Sequence, residues 1–208
     1  MGCDTLNEPL QIDGYWRYIP IHASLRNVRP FGGIDYETAL FRHAIKTLHD
    51  QLIEQIKETD RLPKTLNDIL TFYTMILEDG YFVHDVETLI NESKLTAISA
   101  LDWYFQTTFS SFQSAFPYFQ ARTLDFSDLK QRLSAIMVHP SIDPTIEEVH
   151  LSQPTIIGMS YPSVSALLSL DLTHVVGIVT PEGSAHSHFA IILKSYQIPY
   201  TIASFSEA

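Results

Sequence analysis

Apolar positions recur at two different periods along this chain, and the change of period divides it into three zones. Residues 10–34 read as short extended pieces, with Tyr15 to Leu25 among them, broken by Pro20, Pro30 and the Gly32-Gly33 pair. From Asp35 to about Val138 the spacing is helical. Phe41, Ile45, Leu48, Leu52 and Ile56 share one face of a helix for which Asp35 is the expected N-cap. Ile69, Phe72, Tyr73, Ile76 and Leu77 line a second helix that ends or bends at Glu78-Asp79-Gly80. Val83, Val86, Leu89 and Ile90 predict a third. Thr96 begins a fourth, carrying Ile98, Leu101, Trp103 and Phe105, and a last long helix runs from Phe119 to Val138 after the break at Pro117. Beyond Pro140 short β-branched runs take over: Thr155 to Gly158 and Val175 to Val179 read as buried strands, with a helix from Ser163 to Leu170 between them. Ser187 to Tyr196 reads as another helix, and Tyr200 to Ala203 as a strand. This predicts an α/β domain interrupted by an all-helical subdomain of four or five helices. The expected boundaries are 1–34 for its first part, 35–139 for the insertion and 140–208 for the remainder, with the first part returning to pair with the last.

Charge narrows the partners. Acidic side chains number 24 against 13 basic ones, a formal charge of −11 over 208 residues. Phosphate contacts need Lys or Arg, so nucleic acid and anionic lipid are poor partners and a basic protein surface is a good one. With 45% hydrophobic residues the chain has the material for a core, which excludes a disordered role. Cys3 stands alone, and the first ten residues lack the basic-then-apolar order of a secretory signal, so a cytoplasmic location is expected. The Met-Gly-Cys start departs from a myristoylation pattern at Leu6, and no apolar run is long enough to span a bilayer.

The chemistry concentrates between the second predicted strand of the last zone and the helix that follows it, in Thr180 to Ile191. Small residues at Gly183, Ser184 and Ala185 let backbone amides approach an anion, and Ser187 can cap the helix. His188 then lies in the first helical turn, where the positive end of the helix dipole favours an added phosphoryl group. A neutral imidazole is a competent nucleophile near neutral pH once its tautomer is fixed. Spacing alone leaves open the plainer role of a surface or capping histidine. His186 and His188 would face one way in an extended stretch, but no carboxylate or thiol stands at ligand spacing nearby, and no metal is assigned. His22, His43, His49, His84, His139, His150 and His174 show no clustering.

Gly183 to Lys194, followed by Ile198-Pro199, resembles the phosphohistidine signature of phosphoenolpyruvate-utilising enzymes, G-G-x-T-S-H-x-A-I-x-A-R with L-P or I-P downstream. Met75 to Asp79 resembles the M-L-L-x-D step in the helical subdomain of enzyme I of the bacterial phosphoenolpyruvate:sugar phosphotransferase system. Arg122, Asp125, Asp128 and Arg132 are similar to that family's R-x-x-D-x-x-D-x-x-x-R helix. The resemblance covers roughly residues 35–204. It implies a swivelling phosphohistidine α/β domain with an inserted helical subdomain. His188 would carry the phosphoryl group between phosphoenolpyruvate and the phosphocarrier protein HPr, with Gly183, Ser184, His186, Ser187, Lys194 and Ser160 supporting the phosphate site. Tyr73, Met75, Ile76, Glu78, Asp79 and Arg122 would form the dock for HPr.

The pattern is broken in places. Ser184 replaces the second glycine, His186 the threonine before Ser-His, Leu193 the alanine before the basic residue, and Lys194 the arginine. Tyr161-Pro162-Ser163 aligns with the family's T-P-S, whose threonine fixes the active ring, so Ser160 or His186 would have to take over that task. Two readings therefore stay open: a phosphotransferase domain, or a degenerate relative that binds a carrier or regulates. Family members also continue into a barrel that binds phosphoenolpyruvate and magnesium. The chain is accordingly expected to be a natural or cloned fragment, needing no cofactor of its own and receiving phosphate from a domain beyond it.

Overall fold

The computed structural model describes residues 14–19, 30–57, 64–110, 117–138, 151–168, 170–185 and 187–205. In the first zone strand β1 (Tyr15–Ile19) forms. The helical zone supplies α1 (Ile34–Lys57), α2 (Lys64–Leu77), α3 (Gly80–Ser93), α4 (Ala97–Ser110) and α5 (Pro117–Val138). The last zone alternates: β2 (Thr155–Met159), α6 (Val164–Leu168), a 3-10 turn at Leu172–His174, β3 (Val175–Thr180), α7 (His188–Ser195) and β4 (Tyr200–Ile202). The four strands make one parallel sheet in the order β1-β2-β3-β4. Tyr15 pairs with Thr155 and Ile19 with Met159, so the first zone does return across more than a hundred residues to the third. The architecture is α/β with an inserted helical subdomain.

The helices bury the stripes their spacing marks out. Phe41, Leu48 and Leu52 of α1 are fully buried against α2 and α5, and Ile69, Tyr73 and Leu77 of α2 are buried with them. Phe82, outside the predicted stripe of α3, sits at the centre of an aromatic cluster. Its ring lies 6.0 Å from Phe41, 5.2 Å from Tyr104 and 6.0 Å from Phe105. Trp103, one of the large apolar residues of α4, is half exposed.

The starts of α1, α5 and α6 differ from expectation, α5 beginning at Pro117 itself, two residues before Phe119. Helix α1 begins at Ile34, before Asp35, because Gly33 takes a φ of +101° and its carbonyl accepts from the Glu37 amide at 3.0 Å. Asp35 belongs to the first turn and is not the cap. Helix α6 has five residues rather than the eight of Ser163 to Leu170, and Ser163 is its cap, accepting from Ala166 N at 3.1 Å. Thr96 begins α4 as expected, its hydroxyl accepting from Ser99 N at 3.2 Å. The same end is held by Glu37, a fully buried carboxylate that accepts from Ala97 N and from Gly32 N, each at 2.9 Å.

The helical group and the sheet are in direct contact. Helix α2 packs on α7 and α5 packs on α6.

Candidate functional site

In a parallel sheet every strand delivers its chain to the same edge, and the segments after β2 and β3 meet there. The register Gly158↔Val179 brings Ser160, one residue beyond β2, beside the loop that leaves β3 at Thr180. Thr180 is fully buried. Its hydroxyl donates to Glu182 O at 2.6 Å, folding the chain back, and lies 2.8 Å from the Tyr200 hydroxyl on β4. Gly183 follows with a φ of +150°, a conformation that L side chains rarely adopt.

The loop ends in a closed cap. Ser187 is buried; its hydroxyl donates to Ser184 O at 2.8 Å and accepts from Ala190 N at 3.2 Å. Its own amide donates to Ser184 O at 3.1 Å. His188 is the first residue of α7 and is half-buried, neither sealed in the core nor projecting into solvent. The N–H groups of a first helical turn have no acceptor within the helix, so the imidazole sits beside partial positive charge. A helix start of this kind favours negative charge placed near it.

Of the expected phosphate-site residues, Gly183, Ser184, Ser187 and Ser160 share this edge with His188. His186 lies outside the described residues. Lys194 is exposed in the last turn of α7, roughly 9 Å along the axis from His188 at 1.5 Å per residue.

The expected dock divides by exposure. Met75 is 63% exposed, and Glu78 and Asp79 are exposed at the end of α2. Ile76 is half-buried against the core. Tyr73 is fully buried, so it offers no contact surface. Its hydroxyl instead lies 3.3 Å from Asp128 Oδ2. Glu78 also has a local partner, His49 Nε2 at 2.9 Å, and Asp79 caps α3 by accepting from Tyr81 N at 2.9 Å. The side chain of Arg122 is outside the described residues. Tyr81, at 82% exposure, adds an aromatic ring to this face that the sequence reading does not include.

Beneath the dock runs a buried polar link absent from the sequence reading. Asp128 on α5 receives the Ser163 hydroxyl at 2.5 Å and the Tyr73 hydroxyl at 3.3 Å. Asp128 and Ser163 are both buried, and the link joins α2, α5 and the segment after β2. One turn further along α5, Arg132 donates to Gln55 Oε1 at 3.4 Å, while its Nη1 is buried with no hydrogen-bond partner among the described residues. Burial lowers the Arg132 pKa, against the opposing pull of Asp128 and Tyr73. Tyr161 is buried next to this link, in the segment where the family resemblance places the ring-fixing threonine.

The N-terminal domain of PEP-utilising enzymes matches residues 17–122, and the mobile domain of the same enzymes matches residues 151–205. The chain belongs to the PEP-utilising enzyme family. Multiphosphoryl transfer protein 1 of Escherichia coli K12 is 27% identical over 200 residues, which is 96% of this chain and 22% of that protein. The phosphoryl donor subunit DhaM of the PEP-dependent dihydroxyacetone kinase of Providencia stuartii is 31% identical over 157 residues, covering 71% of this chain and 32% of DhaM. This PEP-utilising chain thus spans about a fifth of the length of the first of these relatives. In fold it resembles the solution structure of enzyme I (nEIt), with a TM-score of 0.64 at 22% identity, over 84% of this chain and 70% of that one. Among the described residues of this family member no three His, Cys, Asp or Glu side chains gather as a metal site. No described helix is long and apolar enough to cross a membrane.

Proposed function

We propose that this PEP-utilising domain relays a phosphoryl group through His188, receiving it from a phosphoenolpyruvate-binding domain and passing it to the phosphocarrier HPr in a sugar-uptake relay. The carrying observation is the placement of His188: first residue of α7, behind the closed Ser187 cap, half-exposed at the carboxyl edge of the sheet. In transfer from a phosphorylated carrier, a lone pair of the His188 ring forms the new P–N bond. The carrier's P–N bond breaks, and its electron pair returns to the carrier's imidazole. No oxidation occurs, and the loop amides face the phosphoryl oxygens throughout. The approach of a basic carrier is favoured by the acidic chain and by Glu78 and Asp79 on the exposed end of α2. Helix α2 packs on α7, so a partner seated there stands close to the helix that carries His188.

One observation favours a second reading, a carrier-binding module without transfer: Tyr161 occupies the position of the family's ring-fixing threonine and is buried. Radiolabelled phospho-HPr separates the two. The relay predicts alkali-stable label on the wild type and none on His188→Ala, with carrier binding retained in both. Binding without label in the wild type selects the module.

A further inference from the structure

We propose that Tyr200, on β4, is a positioning residue for phosphoryl uptake at His188, acting as a clamp on both ends of the loop that leads to it. The inference rests on the relay reading and adds to it a residue from a different strand.

The loop that leaves β3 at Thr180 has to present amides to a phosphoryl group while carrying small residues, among them Gly183 with a φ of +150°, so something outside it must define its shape. Tyr200 touches it at three points. Its hydroxyl lies 2.8 Å from Thr180 Oγ1, the same oxygen that donates to Glu182 O at 2.6 Å. The hydroxyl also fills the space above Gly183: a Cβ at that position would overlap it, whereas the ring carbon Cζ would be at an ordinary 3.5 Å. The ring then meets Phe189 edge-on, with centroids 5.3 Å apart, and Phe189 is the buried residue directly after His188. One rigid side chain thus spans the entry of the loop, at Gly183, and its exit, at the first turn of α7. Register holds the clamp itself in place, because Ile178 pairs with Tyr200 and Thr180 with Ile202. The absence of a side chain at Gly183 has two physical reasons here, its φ of +150° and the Tyr200 hydroxyl, and the second can be removed by substitution.

Tyr200→Phe keeps the ring on Phe189 and deletes the hydroxyl. In the 208-residue chain the labelling rate with radiolabelled phospho-HPr is expected to fall roughly tenfold, the scale of a small misplacement of reacting groups, with carrier affinity unchanged. The imidazole nitrogen chemical shifts of His188 are expected to move, since the ring's surroundings are reset. Either a wild-type labelling rate or unmoved ring signals overturns the proposal. A wild type that takes no label refutes the relay instead, and the clamp then stands or falls on the ring signals and on one further cycle. Gly183→Ala should destabilise the wild type more than it destabilises Tyr200→Phe, because only the former holds the clashing hydroxyl. Equal penalties in the two backgrounds, read as urea midpoints, would show that the hydroxyl does not occupy that space.

Discussion

Removing the Asp128 carboxylate should uncouple the helical group from the sheet. Asp128 is buried and accepts from Ser163, across the two layers, at 2.5 Å and from Tyr73, within the helical group, at 3.3 Å. A short hydrogen bond from a hydroxyl to an ionised, desolvated oxygen contributes about 1.5–3 kcal/mol. Asp128→Ala removes the acceptor that both the Ser163 and the Tyr73 hydroxyls donate to. It also removes the carboxylate whose charge offsets burial of the Arg132 guanidinium. A loss of about 3–5 kcal/mol follows. Ser163→Ala loses the same bond and the cap on Ala166 N, for about 2–3 kcal/mol. Because one bond is counted in both, the double variant should fall short of the sum by about 1.5–3 kcal/mol.

The chain carries its own reporters for this. Of its two tryptophans, Trp16 lies on β1 and packs on Phe205 with centroids 5.1 Å apart, while Trp103 lies on α4. Replacing each by Phe in turn gives one variant that reports on the sheet and one that reports on the helices. In urea the two fluorescence transitions of the wild type should coincide, and those of Asp128→Ala should separate, with the sheet melting at lower denaturant. Single-variant effects that add within about 0.5 kcal/mol, together with coincident transitions in Asp128→Ala, would refute the reasoning.

Three further outcomes are expected. Glu37→Ala should cost about 2–4 kcal/mol, because a fully buried carboxylate accepts two backbone N–H groups at 2.9 Å; an unchanged urea midpoint would contradict this. Burial raises the pKa values of Tyr104, Tyr196 and Tyr200, opposed at Tyr104 by the Thr108 hydroxyl and at Tyr200 by the Thr180 hydroxyl, so the folded state holds these protons more tightly than the unfolded chain. Their contribution is complete below the unfolded value of about 10 and is lost as pH rises through the folded values. Urea midpoints taken across that range should therefore fall, and fall less steeply in Tyr200→Phe; a rise would reverse the sign. Glu78→Lys should slow association with HPr at low salt while leaving transfer within the formed complex unchanged, and the difference should vanish at high salt; stopped-flow association rates read this directly. Asp79→Asn is the matching control, since an amide oxygen still accepts from Tyr81 N and keeps the α3 cap.

Much of the fold was legible because each segment's apolar period agreed with its final state. Phe41, Leu48 and Leu52 are buried where a helical stripe demands it, and the β-branched run at Val175 became the strand β3. Ser187 and His188 were legible for the same local reason: a cap is a relation between residues two or three apart. What was hidden is long in sequence. Asp128 and Ser163 are 35 residues apart, and Glu37 and Ala97 are 60 apart. Nothing in the neighbourhood of any of these four announces its partner. Tyr73 misled because a tyrosine beside an exposed methionine on a helix can face either way, and its direction is decided by the carboxylate waiting on α5. Tyr200 carried one weak signal, a polar ring placed in a short strand directly after a proline, whose meaning depends on the glycine it covers.

Charge explains why such a site would favour a protein donor over a small one. A chain of −11 repels free anions within a Debye length of its surface, so a small phosphorylated donor meets an adverse potential before it reaches the loop. On the proposed relay a basic carrier would meet the opposite potential and be steered to the exposed acidic end of α2. Once it is seated, the surface charge is neutralised locally and water is displaced. The field at the phosphoryl group is then set by the first turn of α7 and the capped loop, whose dipoles are fixed in advance by Ser187, Thr180 and Tyr200. Long-range repulsion and short-range attraction of phosphate thus coexist in one acidic chain because they act at different distances, and the carrier's own charge switches between them.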